Sequence, residues 1–214
     1  MKSINIIPIE SVAFAENAYL VFEQDSDIAF VVDPGLSPDR ILHQINQHKL
    51  RLEAILITHG HADHIAGTPA LKAVFPDAQV YVGTQDAEKL INATGNLSAA
   101  FDFPLTIGAA DRLVADGETL EIAGIAVKVL GIPGHSAGHV AYLVESNGKS
   151  HIFVGDIIFA NGIGRYDFPD GDKNLLVQGI RDKLYTLPDE TILYPGHGPN
   201  TTIGVEKRTN PFVR

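Results

Sequence analysis

The 214-residue chain contains no cysteine. That absence excludes disulfides, thiolate nucleophiles, iron–sulfur clusters and cysteine-type zinc sites, so any metal here must be held by imidazole and carboxylate. Clustered basic residues are also lacking. With 16 Lys and Arg against 26 Asp and Glu, the formal charge is -10, which speaks against nucleic acid as a partner, because phosphate neutralisation needs gathered cations. No apolar run approaches the roughly 18 residues of a membrane span. The amino-terminal stretch, residues 4–9, is interrupted by Pro8 and followed by Glu10, too weak for a signal peptide. A cytoplasmic protein without membrane contact is therefore expected. Low-complexity segments, linkers and short repeats are missing too. What remains is a chain with 45% hydrophobic and 20% charged residues, enough apolar material for a packed interior.

Short β-branched runs alternate with helical patterns. Strands are expected at residues 4–7, 19–22, 29–32, 54–57, 79–82, 127–130, 140–144, 151–154 and 191–194, and many are near-continuous apolar runs of the kind that helices cover on a sheet. Asp116-Gly117 and Asn147-Gly148 read as tight hairpin turns. Ser37-Pro38 and Thr68-Pro69 read as helix starts, each with a capping hydroxyl and a first-turn proline. Asn174 is expected to open a third helix burying Leu176, Ile180 and Leu184. The class is α/β.

The informative segment is Thr58-His59-Gly60-His61-Ala62-Asp63-His64, directly after the apolar run 54–57. Four donor side chains fall within six residues, and their mix of neutral nitrogen and hard oxygen suits zinc, iron or manganese. His59 and His61 can converge on one ion from an extended loop, while Asp63 and His64 can address a second. Three further runs end in glycine and then a donor: Gly134-His135, Gly155-Asp156 and Gly196-His197. Functional groups in α/β sheets gather beyond the carboxyl ends of strands, so these loops can meet the first. Glycine at each permits sharp turns and close backbone approach.

These motifs, T-H-G-H-A-D-H followed in order by P-G-H, V-G-D and Y-P-G-H, resemble those of the metallo-β-lactamase-fold hydrolases over nearly the whole chain. The resemblance implies a four-layer αβ/βα sandwich with a dinuclear metal site at one edge of its sheets. It implies His59, His61 and His135 on a first ion, Asp63, His64 and His197 on a second, and Asp156 bridging, with Asp63 and Asp156 the catalytic carboxylates. Zinc is the first choice for both divalent ions, with iron or manganese as alternatives. Asp33, in Val31-Val32-Asp33-Pro34-Gly35, matches an acidic residue that this family places near the ligand histidines, where it can orient an imidazole; turn chemistry alone explains it equally well. His139, near His135, is given a structural role. His43 and His48 are placed on a helix surface, and His151 at a strand start.

The stretch Gly155-Asp156-Ile157-Ile158-Phe159 to Gly164-Arg165 is similar to the glyoxalase II branch, the hydroxyacylglutathione hydrolases. There a basic residue at the Arg165 position contacts substrate, and the guanidinium fork suits a carboxylate; a solvated loop arginine is the other reading. The chain ends soon after His197, so the short single-domain glyoxalase II-like form spanning 1–214 is expected, with no separate C-terminal helical substrate-binding domain. The expected reaction is hydrolysis of S-D-lactoylglutathione or a related acyl thioester by metal-bound hydroxide. A thiol, with pKa about 8.5, leaves without a dedicated general acid. The rivals are a mononuclear iron persulfide dioxygenase built on His59, His135 and Asp156, a lactonase or β-lactamase-like hydrolase, a processing nuclease, and a non-catalytic metal-binding module. Oligomeric state is left open.

Overall fold

The computed structural model describes residues 3–213. Fourteen strands are formed among them: β1 (Ile4–Glu10), β2 (Asn17–Glu23), β3 (Ile28–Val32), β4 (Arg51–Ile57), β5 (Gln79–Gly83), β6 (Arg112–Val114), β7 (Thr119–Ile122), β8 (Ile125–Gly131), β9 (Val140–Ser146), β10 (Lys149–Gly155), β11 (Ile158–Phe159), β12 (Gly162–Ile163), β13 (Ile192–Pro195) and β14 (Thr201–Thr202). One six-stranded sheet runs β1-β2-β3-β4-β5-β6, and a second runs β14-β13-β10-β9-β8-β7. A small ribbon, β11-β12, stands apart. All nine strands expected from the apolar runs form, most of them longer at one or both ends.

Most of those runs are continuous because the central strands of each sheet are buried on both faces, while the outer strands β1 and β7 keep exposed positions. On β2, Tyr19 and Val21 enter the core between the sheets, while Ala18, Leu20 and Phe22 face the other way. On β9, Tyr142 and Val144 point inward and Ala141 and Leu143 outward. The outer face of the first sheet is covered by α1 (Pro38–Gln47) and α3 (Thr68–Val74), joined by the one-turn α2 (Ala62–Ile65) next to the sheet edge. The outer face of the second is covered by α4 (Lys173–Gly179), a π-type turn over Ile180–Leu184, and α5 (Ile203–Thr209). The layers are therefore helix, sheet, sheet, helix, the αβ/βα sandwich. Each buried Leu or Ile on these faces contributes roughly 1.5–3 kcal/mol.

Local chemistry departs from expectation at four places. Ser37 precedes α1, but its hydroxyl accepts the Val12 N–H at 3.2 Å instead of capping the helix. Gly67, not Thr68, is the residue before α3, and the Thr68 hydroxyl is buried without a partner. The third helix opens at Lys173, one residue before Asn174, because the Asp172 carboxylate caps it by accepting the Asn174 and Leu175 N–H groups; Leu176, Ile180 and Leu184 are fully buried. Asn147-Gly148 does turn the β9–β10 hairpin, with both φ angles positive. Asp116-Gly117, by contrast, carries the chain from β6 in one sheet to β7 in the other, because β7 pairs forward with β8.

The sheets are stitched together at the edge where the motif loops emerge. Tyr142 Oη donates to Ile57 O at 2.9 Å, and Val140 N donates to Thr58 O at 2.9 Å. Tyr19 Oη donates to Pro195 O at 2.6 Å. These cross-sheet bonds hold the carboxyl ends of β4 and β13 in fixed relation.

Candidate metal centre

Strand β4 delivers His59 and His61 on an extended loop, and α2 begins immediately after His61, so Asp63 and His64 turn back toward the same point. Strands β8, β10 and β13 run in one direction in the second sheet and deliver His135, Asp156 and His197. All seven donors expected from the sequence are brought together at one edge. The His135 Nε2 atom lies 3.1 Å from His59 Nε2 and 3.0 Å from His61 Nδ1. Asp63 Oδ2 lies 3.2 Å from His197 Nε2 and 3.8 Å from His64 Nε2. Asp156 reaches both groups, with Oδ2 3.7 Å from His135 Nε2 and from His197 Nε2, and Oδ1 3.5 Å from His64 Nε2.

The rings are oriented by spending their outer nitrogens on acceptors. His64 Nδ1 donates to Asp33 Oδ2 at 3.0 Å, His135 Nδ1 to Arg165 O at 2.8 Å, and His197 Nδ1 to Phe14 O at 3.1 Å. His59 Nδ1 donates to Thr58 Oγ1 at 3.1 Å, and that hydroxyl donates onward to Asp33 Oδ2 at 2.6 Å. Four Nε2 atoms therefore face the centre, the orientation that metal ligation requires. Asp33 also accepts the Thr58 N–H at 2.8 Å. Its φ of +46°, a conformation Asp tolerates better than most residues, aims the carboxylate back at the histidine loop. Of its two sequence readings the orienting one matches these contacts, and its oxygens are committed to them.

The electrostatics match a cation. Burial, then neighbouring imidazoles, hold His59 well below the ordinary histidine value and His61 down to about 3, so both rings are neutral. Burial would raise Asp63 and Asp156, but His64 and its neighbours outweigh that and hold both carboxyls below the usual range. Burial would lower His64, yet Asp63, Asp156 and Asp33 together hold it well above its usual value. The carboxylates thus demand positive charge between them. His64 Nε2 and Asp156 Oδ1 are buried with no hydrogen-bond partner, a costly arrangement for polar atoms facing each other. Nitrogens opposed at 3.0–3.1 Å and orphaned donors fit divalent ions held by His59, His61 and His135 on one side and Asp63, His64 and His197 on the other.

Glycine is required at Gly196, where a Cβ would run into Asp156 Oδ1 and His64 Cε1. At Gly155, φ is +47° and a Cβ would meet Thr58 Oγ1.

Several positioning residues escaped the sequence reading. Asp86, fully buried, accepts Gly60 N at 2.8 Å, Ser136 Oγ at 2.7 Å and Gly138 N at 2.7 Å, and lies 3.3 Å from Lys89 Nζ. It clamps the loop of His59 and His61 to the loop of His135. Asn17 Nδ2 donates to Pro195 O and Gly198 O, holding the turn that carries His197. No short motif marks either, since their partners are distant in sequence. His139, assigned a structural role, stacks on His59 with ring centres 4.6 Å apart and its Nε2 accepts the Asp156 N–H at 3.2 Å. Arg165 is exposed, forms a two-pronged pair with Asp167 at 2.9 Å and lies 4.4 Å over the Phe168 ring. His43 and His48 are on the surface, as expected.

A cavity of about 490 Å³ opens onto the donors. Its walls are apolar, with Phe14, Leu36, Leu97, Phe101, Phe103, Phe159 and Phe168 facing His61, Asp63, His135, Asp156 and His197.

The sequence profile of the metallo-beta-lactamase superfamily matches residues 12–197. The chain belongs to that superfamily. Within it, a Haemophilus influenzae protein named hydroxyacylglutathione hydrolase GloC is 36% identical over 213 residues, 99% of this chain and 98% of its own. Among solved structures, the BLEG-1 B3 metallo-beta-lactamase superposes with a TM-score of 0.91 at 34% identity, covering 98% of this chain and 99% of that one. TTHA1623, solved in a di-iron-bound form, gives 0.82 at 34% identity, covering 96% and 99%. The di-iron relative and the paired donor groups together support a dinuclear centre of His and Asp.

Proposed function

We propose that this metal-dependent hydrolase cleaves acyl thioesters, glutathione thioesters such as S-D-lactoylglutathione among them. The carrying observation is the inventory of the cavity. Among the described residues, the polar ones on its walls apart from the metal donors are Asn96 and Arg165, and neither gives up a proton near neutral pH. A site without a general acid suits a leaving group that departs as an anion, and a thiolate does so far more readily than an amine or alkoxide.

His59, His61 and His135 would hold one ion, and Asp63, His64 and His197 the other, with Asp156 shared. When bound, two divalent ions supply Lewis acidity toward the substrate carbonyl and bring a water toward ionisation at neutral pH. The chain's own residues do the rest. Asp33, Thr58, Phe14 O and Arg165 O keep the imidazoles in the required tautomer. Asp63, whose side chain is 23% exposed toward the cavity, takes the proton released as water adds to the carbonyl carbon. The C–S bond then breaks with the sulfur leaving as thiolate. The carboxylic acid formed ionises, the thiolate takes a proton from water, and Asp63 returns its proton to solvent, leaving a carboxylate and a thiol. The aromatic walls keep bulk water away from the reacting carbonyl. Arg165 at the rim is the group for a substrate carboxylate once Asp167 releases it. The similarity to GloC supports this substrate class, and the cytoplasm is its natural compartment.

β-Lactam hydrolysis is the second reading, favoured by the superposition on BLEG-1. The deciding experiment incubates metal-loaded protein with S-D-lactoylglutathione, a cephalosporin and glutathione persulfide in parallel. Thiol release from the first is expected. Ring opening of the second alone, or oxygen uptake with the third alone, overturns the thioester reading.

A further inference from the structure

The cavity in front of the donors is far more apolar than a small polar acyl group needs. Phe14, Phe101 and Phe103 stand 53%, 61% and 43% exposed, and the first two meet edge to face with ring centres 5.5 Å apart. Isolated exposed apolar residues need no explanation, but several aromatic rings gathered on one wall of one cavity do. The wall is built deliberately. Asn96, fully buried, donates to Lys89 O and Leu105 O while its own backbone carbonyl accepts the Ala62 N–H at 2.9 Å. The aromatic loop is thereby tied to the helix that carries Asp63 and His64. Phe14 is tied in the same way, since its carbonyl accepts His197 Nδ1–H.

Charge points the same way. Arg165 is the one cation on the cavity walls among the described residues, and its fork is already taken by Asp167 and laid over Phe168. An anionic substrate portion has Arg165 alone to meet it, and only once Asp167 gives up the guanidinium, whereas an apolar portion meets several aromatic rings.

We propose that the wall formed by Phe14, Phe101 and Phe103 is an acyl-selectivity subsite, which takes an aromatic or medium-length aliphatic acyl chain and sets the preferred substrate. The proposal rests on the thioester reading and narrows it. Burying one methylene against such a wall strengthens binding by about three- to fourfold. Rings that stay partly wet return less than this, so the gain from acetyl to hexanoyl is about tenfold or more.

The test uses metal-loaded protein and a series of N-acetylcysteamine thioesters (acetyl, butyryl, hexanoyl and phenylacetyl) with thiol release as the signal. The ratio of kcat/KM for hexanoyl over acetyl is expected at about tenfold or higher, and Phe101→Ala and Phe103→Ala are expected to collapse it, with Phe101→Leu restoring most of it. Thermal unfolding of each variant checks that it is folded. The same contrast is read without turnover by calorimetry, where 3-phenylpropionate should bind about tenfold tighter than acetate. A flat or falling series with equal binding of the two acids overturns the subsite while leaving thioester hydrolysis standing. If no thioester is cleaved at all, the thioester reading falls, and calorimetry alone still decides the subsite. Loss of self-association in Phe101→Ala, with acyl selectivity untouched, assigns the rings to a second copy of the chain and also overturns it.

Discussion

The Asp86 carboxylate accepts the Ser136 hydroxyl at 2.7 Å across a gap of 50 residues. The same carboxylate accepts the Gly60 N–H, one residue from His59 and from His61. A single buried side chain thus sets the separation of two donor loops that leave different sheets.

Asp86→Ala is expected to destabilise the protein by about 3–5 kcal/mol, because it strands two buried N–H groups and a hydroxyl, while Lys89 keeps its ion pair with Asp170 at 2.7 Å. Loss of metal at the three-histidine group should accompany it, measured by denaturant unfolding and metal analysis. Asp86→Asn retains some acceptor capacity and should fall between the two. Full metal content in a destabilised Asp86→Ala protein would separate stability from site geometry and refute the clamp.

Gly196→Ala places a methyl group where Asp156 Oδ1 and His64 Cε1 sit. At least tenfold weaker metal retention is expected, the scale of disturbing a ligand's surroundings. Gly198→Ala is the control: its φ of +76° makes alanine cost about 1 kcal/mol of stability, but nothing lies within 4 Å of the added Cβ, so metal should stay bound.

Removing metal with a chelator should lower the unfolding temperature, since His64 Nε2 and Asp156 Oδ1 then lack hydrogen bonds and keep only each other's charge at 3.5 Å. At a metal concentration one hundred times Kd the stabilisation is about 2.7 kcal/mol. Asp156→Ala, which removes the carboxylate shared by both groups, should lose most bound metal and become insensitive to chelator. An unchanged melting curve for the native chain after dialysis against chelator would argue against a resident ion.

Arg165 and Asp167 are both well exposed, so breaking their pair should leave stability nearly unchanged. Asp167→Asn frees the guanidinium, and KM for a glutathione thioester should fall several-fold while KM for an uncharged thioester stays put. Arg165→Ala should move KM for the glutathione thioester the opposite way. Identical responses by the two substrates would return Arg165 to the solvated loop reading.

Much of the architecture was legible because its signal is local. A strand buried on both faces needs an apolar residue at every position, and the runs in β2 and β9 and the second half of β4 show that. The donors of Thr58–His64 lie within one loop and one helical turn, so their spacing carries their geometry. The region from Thr84 to Phe101 was not legible. It folds into 3₁₀ turns held by Asp86 and Asn96, and neither period 2 nor period 3.6 describes such turns. Asp116-Gly117 misled for a related reason: the dipeptide specifies a turn, while sheet order decides whether its flanking strands pair.

The sequence by itself determined the kind of centre. Without cysteine, and with His and Asp placed after apolar strands, only nitrogen and oxygen donors were available, and their types and order named the superfamily. Tertiary structure alone decided how those donors are used. His135, Asp156 and His197 meet the Thr58–His64 loop because two sheets pack face to face and cross-sheet bonds lock their edges. The aromatic wall, the clamp at Asp86 and the pairing of Arg165 with Asp167 are likewise distances between side chains, most of them set by packing far along the chain. Residue identity fixes what a side chain can bind; only packing fixes what it is close enough to bind.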